Sequence, residues 1–309
     1  MMTRKRRFLY ILLIFILFVL SGNSDAETRT GKITLRDNTK ISYETRGVPE
    51  SPHVLFIHGW SCSSLYWQKQ LEALSSRYYT VAIDLRGHGG SDKPSFGYTF
   101  RYMAKDVHEI IEKLNLKDLF MVGWSMGGSI VFEYFKEFKG EHLKGICIVD
   151  IGPYSWKTKD YPIGYMDYEK RLELTREYTM AYQEPGKEGD SFVEKMFIQK
   201  PDFHMLNQLE AESSKVPAYV RSLLMLELFC SDYRDLSAQI NVPTLILLGS
   251  WSKKEKNYPV GEYMQKNIKA SRLVSFSKSG HCPFLEEADT FNKVLSDFIE
   301  ANRSLRKNR

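Results

Sequence analysis

Cysteine is scarce in this chain, with four in 309 residues, no C-x-x-C pair, and seven histidines scattered along the length. That spacing excludes the common zinc-binding patterns, and no metal is expected from it. Charge of one sign is scarce too: 43 basic against 38 acidic residues leave a formal net charge of +5, and nothing in the body of the chain points to nucleic acid. The basic tail Arg303, Arg306, Lys307 and Arg309 reads as a solvated end. There is no internal repeat and no low-complexity tract, which excludes solenoids and linker arrays. The one glycine-rich segment, Asp84-Leu85-Arg86-Gly87-His88-Gly89-Gly90-Ser91-Asp92, lacks the order of glycines that cradles a phosphate before a helix and reads as a rigid loop. No cofactor is expected.

Long apolar runs are limited to one. Arg4, Lys5, Arg6 and Arg7 precede Phe8 to Leu20, thirteen residues without a charge, followed by Ser24-Asp25-Ala26. The run is shorter than the roughly 18 residues of a spanning helix. Basic start, short apolar centre and small residues at the end are the marks of a secretory signal segment cleaved after Ala26; an uncleaved N-terminal anchor is the alternative. Asn23 stands where a lipid-bearing cysteine would follow Leu20-Ser21-Gly22, so lipid attachment is not expected. Met1 to Ala26 holds four basic residues and one acidic, and its removal leaves +2.

What remains is 43% hydrophobic and 13% aromatic over the whole chain, enough for one large core carrying an insertion. Ile33 to Leu35 and Ile41 to Thr45 read as strands about the Asp37-Asn38 turn. Val54 to Ile57 reads as a buried strand running into His58-Gly59-Trp60, Leu65 to Ser76 as an amphipathic helix, and Tyr79 to Asp84 as the next strand. A helix is expected over Tyr102 to Leu114, and Leu119-Phe120-Met121-Val122 is a further buried strand. Strand and helix then alternate, which predicts an α/β protein with a mostly parallel sheet and crossover helices. The centre of the chain is Gly123-Trp124-Ser125-Met126-Gly127, a G-x-S-x-G pattern between that strand and apolar residues at helical spacing from Ser129 to Phe138. A serine at such a bend lifts its hydroxyl clear of the backbone, and side chains at the flanking positions would strike strand and helix. Ser125 is the candidate nucleophile.

Taken together, H-G-W at residues 58–60, D-L-R-G-H-G-G-S-D-K-P at 84–94 and G-W-S-M-G-G at 123–128 resemble the α/β-hydrolase superfamily. Within it the chain is similar to the small single-domain serine esterases, such as those acting on the methyl ester of pimeloyl carrier protein. The resemblance implies a central, mostly parallel sheet flanked by helices. It also implies an oxyanion hole built by position from the backbone amides of Trp60 and Met126, and a helical lid between core segments. The division expected is 1–26 leader, 27–153 core, 154–236 lid and 237–309 core. Met166 to Tyr182 and Tyr219 to Phe229 are the lid's helical stretches, with no strand pattern. After the strands Thr244 to Gly249 and Arg272 to Phe276, Ser279-Gly280-His281-Cys282-Pro283-Phe284 looks like the family's base loop, with a closing helix over Asp289 to Ala301. His281 is thus the expected general base, and His58 reads as structural. His88 is set aside as a base, while His108, His142 and His204 read as surface or packing residues.

The acid departs from the pattern. Ser252 stands where many relatives carry an aspartate. Asp150, closing the strand Gly145 to Val149 at the same sheet edge, is preferred; Glu255, and Asp232 or Asp235, are the alternatives. Cys62 and Cys282 each follow an expected site residue closely, which leaves a bridge between them open, whereas Cys147 reads as core.

The resemblance implies cleavage of a carboxylic ester of a small or medium apolar molecule. The alternatives are a lactone, amide or carbon-carbon bond hydrolase at the same site, or a ligand-sensing protein on a hydrolase scaffold. Membrane contact is expected only through an uncleaved leader. If the leader is cleaved, the intact mass of protein recovered from the producing cell corresponds to a chain starting at Glu27; a mass that includes residues 1–26 identifies the anchor.

Overall fold

The computed structural model describes residues 28–173, 175–176, 192–250 and 259–303. The leader and its cleavage site, and Ser252 and Glu255, lie outside the described residues. Eight strands form one sheet in the order β1 (Arg29–Thr34), β2 (Lys40–Arg46), β4 (Tyr79–Ile83), β3 (His53–Ile57), β5 (Leu119–Trp124), β6 (Leu143–Val149), β9 (Thr244–Gly249) and β10 (Ser271–Phe276). The pairs β1·β2 and β2·β4 are antiparallel and all others are parallel. The inner strands β5 and β9 are buried along their whole length, which is why their sequences are unbroken apolar runs.

Residues alternate between the two faces with period two. Leu55, Ile57, Met121, Ile146, Ile148, Ile246 and Leu248 enter one core; Val54, Phe56, Phe120, Val122, Val149, Leu245 and Leu247 enter the other. On the second face, α1 (Gln68–Leu74) inserts Leu71 and Leu74. On the first, α2 (Phe100–Lys113) inserts Met103 and Ile110, and α3 (Met126–Phe138) inserts Ile130 and Phe135. The Thr99 hydroxyl accepts the Tyr102 amide at 3.2 Å to start α2. Lys139 ends α3 in the left-handed region at φ 55°, followed by Gly140 at φ 78°.

Strands β6 and β9 are neighbours, so everything between them is an insertion mounted on the sheet's carboxyl edge. It contains α4 (Phe203–Ser214) and α5 (Ala218–Cys230). The sequence suggested no strand there, but β7 (Trp156–Lys157) and β8 (Met166–Asp167) form a short parallel pair. Two residues per strand leave no readable period. Met166 therefore opens in that pair and not in a helix; a 3-10 turn over Tyr168–Lys170 follows, and the expected helix beyond 176 lies outside the described residues. The helix expected from Leu65 likewise begins as a 3-10 turn, Ser64–Trp67, because the Ser63 hydroxyl takes the Leu65 amide at 3.3 Å. After the insertion, α6 (Pro259–Asn267) covers the first face and α7 (Ala288–Arg303) the second. No described helix is long and apolar enough to cross a membrane.

The glycines about the β5–α3 bend are dictated by contact. A Cβ on Gly123 would lie 2.4 Å from the Gly127 carbonyl oxygen, and one on Gly127 would lie 2.4 Å from that of Ile57. Both obstacles are backbone and cannot rotate away. Gly123→Ala is accordingly expected to lower unfolding free energy by about 1–3 kcal/mol, the range for overpacked sites, measured as a fall in urea midpoint. An unchanged midpoint contradicts this packing.

Candidate active site

The bend places Ser125 at φ 53° and ψ −122°, a conformation that costs a non-glycine residue about 1–3 kcal/mol. It is held there from both sides: its amide donates to the Val149 carbonyl at 2.8 Å, and its carbonyl accepts from the Gly128 amide at 2.8 Å. Met126 opens α3, so its amide has no acceptor within the helix and lies at the positive end of the helix dipole. The His58-Gly59-Trp60 loop runs alongside. A Cβ on Gly59 would sit 3.3 Å from Ser125 Cβ and 3.1 Å from the Trp124 ring, so a side chain there would crowd both neighbours. The loop then reverses as the Cys62 amide bonds the Gly59 carbonyl at 3.3 Å, with Ser61 at φ 58°. Trp60 and Met126 thus sit on the two segments that flank the serine.

His58 is buried and bonded on both ring nitrogens. Nδ1 lies 2.8 Å from the Gly59 carbonyl oxygen, and Nε2 accepts the Leu85 amide at 3.0 Å. Accepting at Nε2 requires the neutral ring, and burial lowers its pKa to about 4. Its neighbour His88, with ring centroids 4.9 Å apart, is lowered to about 3 by burial first and by His58 second. Asp84 locks the same loop by accepting the Ser64 amide at 2.7 Å and the Gly90 amide at 2.8 Å.

Asp150 and His281 meet. Asp150 follows β6 at φ 48°, a turn aspartate tolerates better than most residues, and its side chain is only 2% exposed. One carboxylate oxygen lies 2.6 Å from His281 Nδ1, and the other accepts the Gly249 amide at 2.9 Å. Neither contact was legible as a distance in the sequence, but both follow from register. Val149 pairs with Leu247 and Gly249 with Phe276, so the ends of β6, β9 and β10 open onto one edge. A Cβ on Gly249 would fall 1.6 Å from the Gly280 carbonyl oxygen; the loops after β9 and β10 touch backbone to backbone.

The other carboxylates proposed for this role are elsewhere. Asp232 is exposed and engaged by Arg234 through Nε at 3.0 Å and Nη2 at 2.7 Å, and Asp235 is exposed on the next helical turn. Glu255 lies outside the described residues. The bridge between Cys62 and Cys282 is not formed: both are free, buried thiols, and Cys62 Sγ turns to the Trp60 carbonyl at 3.2 Å. Cys147 is also free and buried in the core.

Three contributors escaped the sequence. Trp124, the variable position inside G-x-S-x-G, donates its indole N–H to the His281 carbonyl at 2.7 Å. Glu286 accepts the amides of Gly280 at 2.7 Å and of Ile198 and Gln199 at 2.8 Å each. Glu287 accepts the Lys278 amide at 3.0 Å and the Ser279 hydroxyl at 2.8 Å. The signal for the last two is a pair of acids one helical turn after the histidine loop, where unpaired loop amides need acceptors.

A mostly parallel sheet whose carboxyl edge presents a strained serine at a helix start after β5 and an aspartate–imidazole pair after the neighbouring β6 defines an α/β hydrolase. The chain belongs to the alpha/beta hydrolase fold family, whose model matches residues 52–288. It is 33% identical over 254 residues to the AB hydrolase superfamily protein YisY of Bacillus subtilis, covering 79% of this chain and 90% of that one. It is 25% identical over 273 residues to a pimeloyl-[acyl-carrier protein] methyl ester esterase of Neisseria meningitidis, covering 83% and 97%. An esterase structure from Exiguobacterium antarcticum superposes with a TM-score of 0.77 at 26% identity, covering 88% of this chain and all of the other.

The two buried neutral histidines set a pH dependence. Their pKa values are depressed from 6.5 to about 4 and about 3, so between pH 6.5 and 4 the unfolded chain binds protons that the native state refuses. Stability therefore falls as pH falls through that window, at up to about 1.4 kcal/mol per pH unit for each histidine. Urea midpoints taken from pH 7 to pH 4.5 should decline steadily; a flat profile contradicts the neutral buried state.

Proposed function

We propose that this protein is a serine esterase that cleaves a carboxylic ester of a small or medium apolar substrate through an acyl-enzyme, without a cofactor. The observation that carries the proposal is the 2.6 Å contact between Asp150 and His281 Nδ1. An aspartate accepting from Nδ1 fixes the tautomer in which Nε2 is the basic nitrogen and keeps the ring from turning. In this reading Nε2 takes the Ser125 proton as the serine oxygen attacks the acyl carbon. The carbonyl oxygen becomes negative, and the amides of Trp60 and Met126 hold it; one such donor contributes about 3 kcal/mol to the transition state. The imidazolium gives its proton to the alkoxide as the ester bond breaks, the alcohol leaves, and water repeats the sequence to release the acid.

The relatives named as esterases support an ester bond over the alternatives. The apolar character assigned to the substrate rests on the insertion, which acts as a lid: Phe192 stands edge-on to the Trp60 ring at 5.0 Å, so lid and oxyanion loop share an apolar wall. The proposal includes export, on the strength of the basic start, short apolar run and small residues of the first 26 positions.

A fluorophosphonate probe is expected to label the protein stoichiometrically at Ser125, with labelling abolished in Ser125→Ala. Asp150→Asn should retain the fold, by circular dichroism, and lose about 10⁴-fold in kcat on an activated ester. Absence of labelling in the folded protein favours the ligand-sensing alternative, and near-normal turnover in Asp150→Asn removes Asp150 from the triad.

A further inference from the structure

A second cluster of chemistry-bearing side chains lies at the opposite edge of the sheet. His108 projects from α2 toward the turn between α3 and β6, where Glu141 and His142 are consecutive. His108 Nε2 lies 3.4 Å from Glu141 Oε2, and His142 Nε2 lies 3.8 Å from Glu141 Oε1. One ligand atom from each of the three residues falls within 4.8 Å of the others. We infer that His108, Glu141 and His142 form a binding site for one zinc ion, distinct from the proposed catalytic centre.

The chemistry of the donors suits zinc: two imidazoles and one carboxylate with a fourth position for water are a borderline-soft N/O set. Zinc bonds of about 2.0–2.1 Å arranged tetrahedrally space their ligands by about 3.4 Å. The His108–Glu141 separation already matches this spacing and the His142–Glu141 separation must close by about 0.4 Å; bringing all three donors onto one ion closes spans of up to 4.8 Å by up to about 1.4 Å, and Glu141, 56% exposed, is free to turn. His108 is already positioned. Its ring stacks on Phe138 at 4.1 Å and 17°, and Glu112, one turn along α2, places Oε2 3.6 Å from Nδ1. A carboxylate behind the second ring nitrogen is the arrangement that orients zinc-bound histidines. The turn carrying the other two ligands is fixed as well, because Tyr134 donates its hydroxyl to the Glu141 carbonyl at 3.1 Å and the His142 carbonyl accepts the Leu119 amide at 2.9 Å.

The ion would serve structure. His142 precedes β6 and Asp150 follows it, so at about 3.3 Å per strand residue the two sites stand on the order of 20 Å apart. The segment between the ligands, residues 108 to 142, contains β5, the Ser125 bend and α3. Zinc would clip this unit closed at its base, stabilising the native state by binding it and not the unfolded chain, and leaving the chemistry of the far edge untouched.

Isothermal titration of tag-free full-length protein with ZnCl2 is expected to show one saturable site per chain. With zinc at about 100-fold over its Kd, Tm should rise by about 4 °C, and EDTA should reverse the rise. His142→Asn removes a ligand while keeping a residue that tolerates the left-handed backbone found there, φ 64°. Combined with His108→Gln it should abolish both the binding and the Tm shift while leaving metal-free Tm and turnover of an activated ester near wild type. Glu112→Gln should weaken affinity by about 10- to 100-fold. No saturable binding up to millimolar zinc, or equal binding in the double variant, overturns the inference. Because the readouts are affinity and Tm, the result stands apart from whether Ser125 is a nucleophile.

Discussion

A carboxylate taken out of water must have its oxygens answered, and Asp150 meets this requirement with one partner at the end of β9 and one in the loop after β10. Burial without them would cost several kcal/mol. One oxygen receives the Gly249 amide and the other faces His281, so the aspartate holds the ends of β9 and β10 against its own strand. The rest of the edge is arranged to keep that meeting in register. Glu286 and Glu287 collect the amides of the histidine loop, Trp124 grips the His281 carbonyl, and Met196 of the insertion accepts the His281 amide at 2.7 Å. The histidine is bonded at its backbone from both directions before its ring does anything.

The serine side is built on the reverse principle. Ser125 is the point at which the backbone is least comfortable, and packing too tight to yield holds it in place: glycine where any Cβ would meet a carbonyl oxygen, and the neutral His58 pinning the neighbouring loop. A well-satisfied aspartate and a strained serine emerge from adjacent strands, β6 and β5, whose ends are tied where the Ser125 amide donates to the Val149 carbonyl.

The sheet and its crossover helices were legible because burial on both faces writes long apolar strands and burial on one face writes helical spacing. The serine bend was legible because only glycine fits on either side of it. The pairing of Asp150 with His281 was readable only as a preference: residues 150 and 281 are brought together by a strand order that local pattern does not encode, and Ser252 removed the usual cue. Trp124 gave no signal, since its contact is to a backbone atom 157 positions away. The short strand pair in the insertion escaped for want of length. The histidine cluster at the other edge escaped because His108 stands 33 positions before Glu141, and zinc spacings are recognised when the ligands are near in the chain.

Trp60 has a consequence for how this scaffold diversifies. Its amide belongs to the loop beside the serine, yet its indole N–H is bonded to the Arg221 carbonyl on α5 at 2.9 Å, inside the insertion. The insertion is thereby tethered to the loop whose Gly59 packs against the serine. An exchange of the insertion for that of another hydrolase would not be a simple change of binding cavity. It would release one end of the loop that carries the Trp60 amide, so under the proposed function selectivity and turnover would be coupled variables, and engineering one without reference to this tether would alter the other.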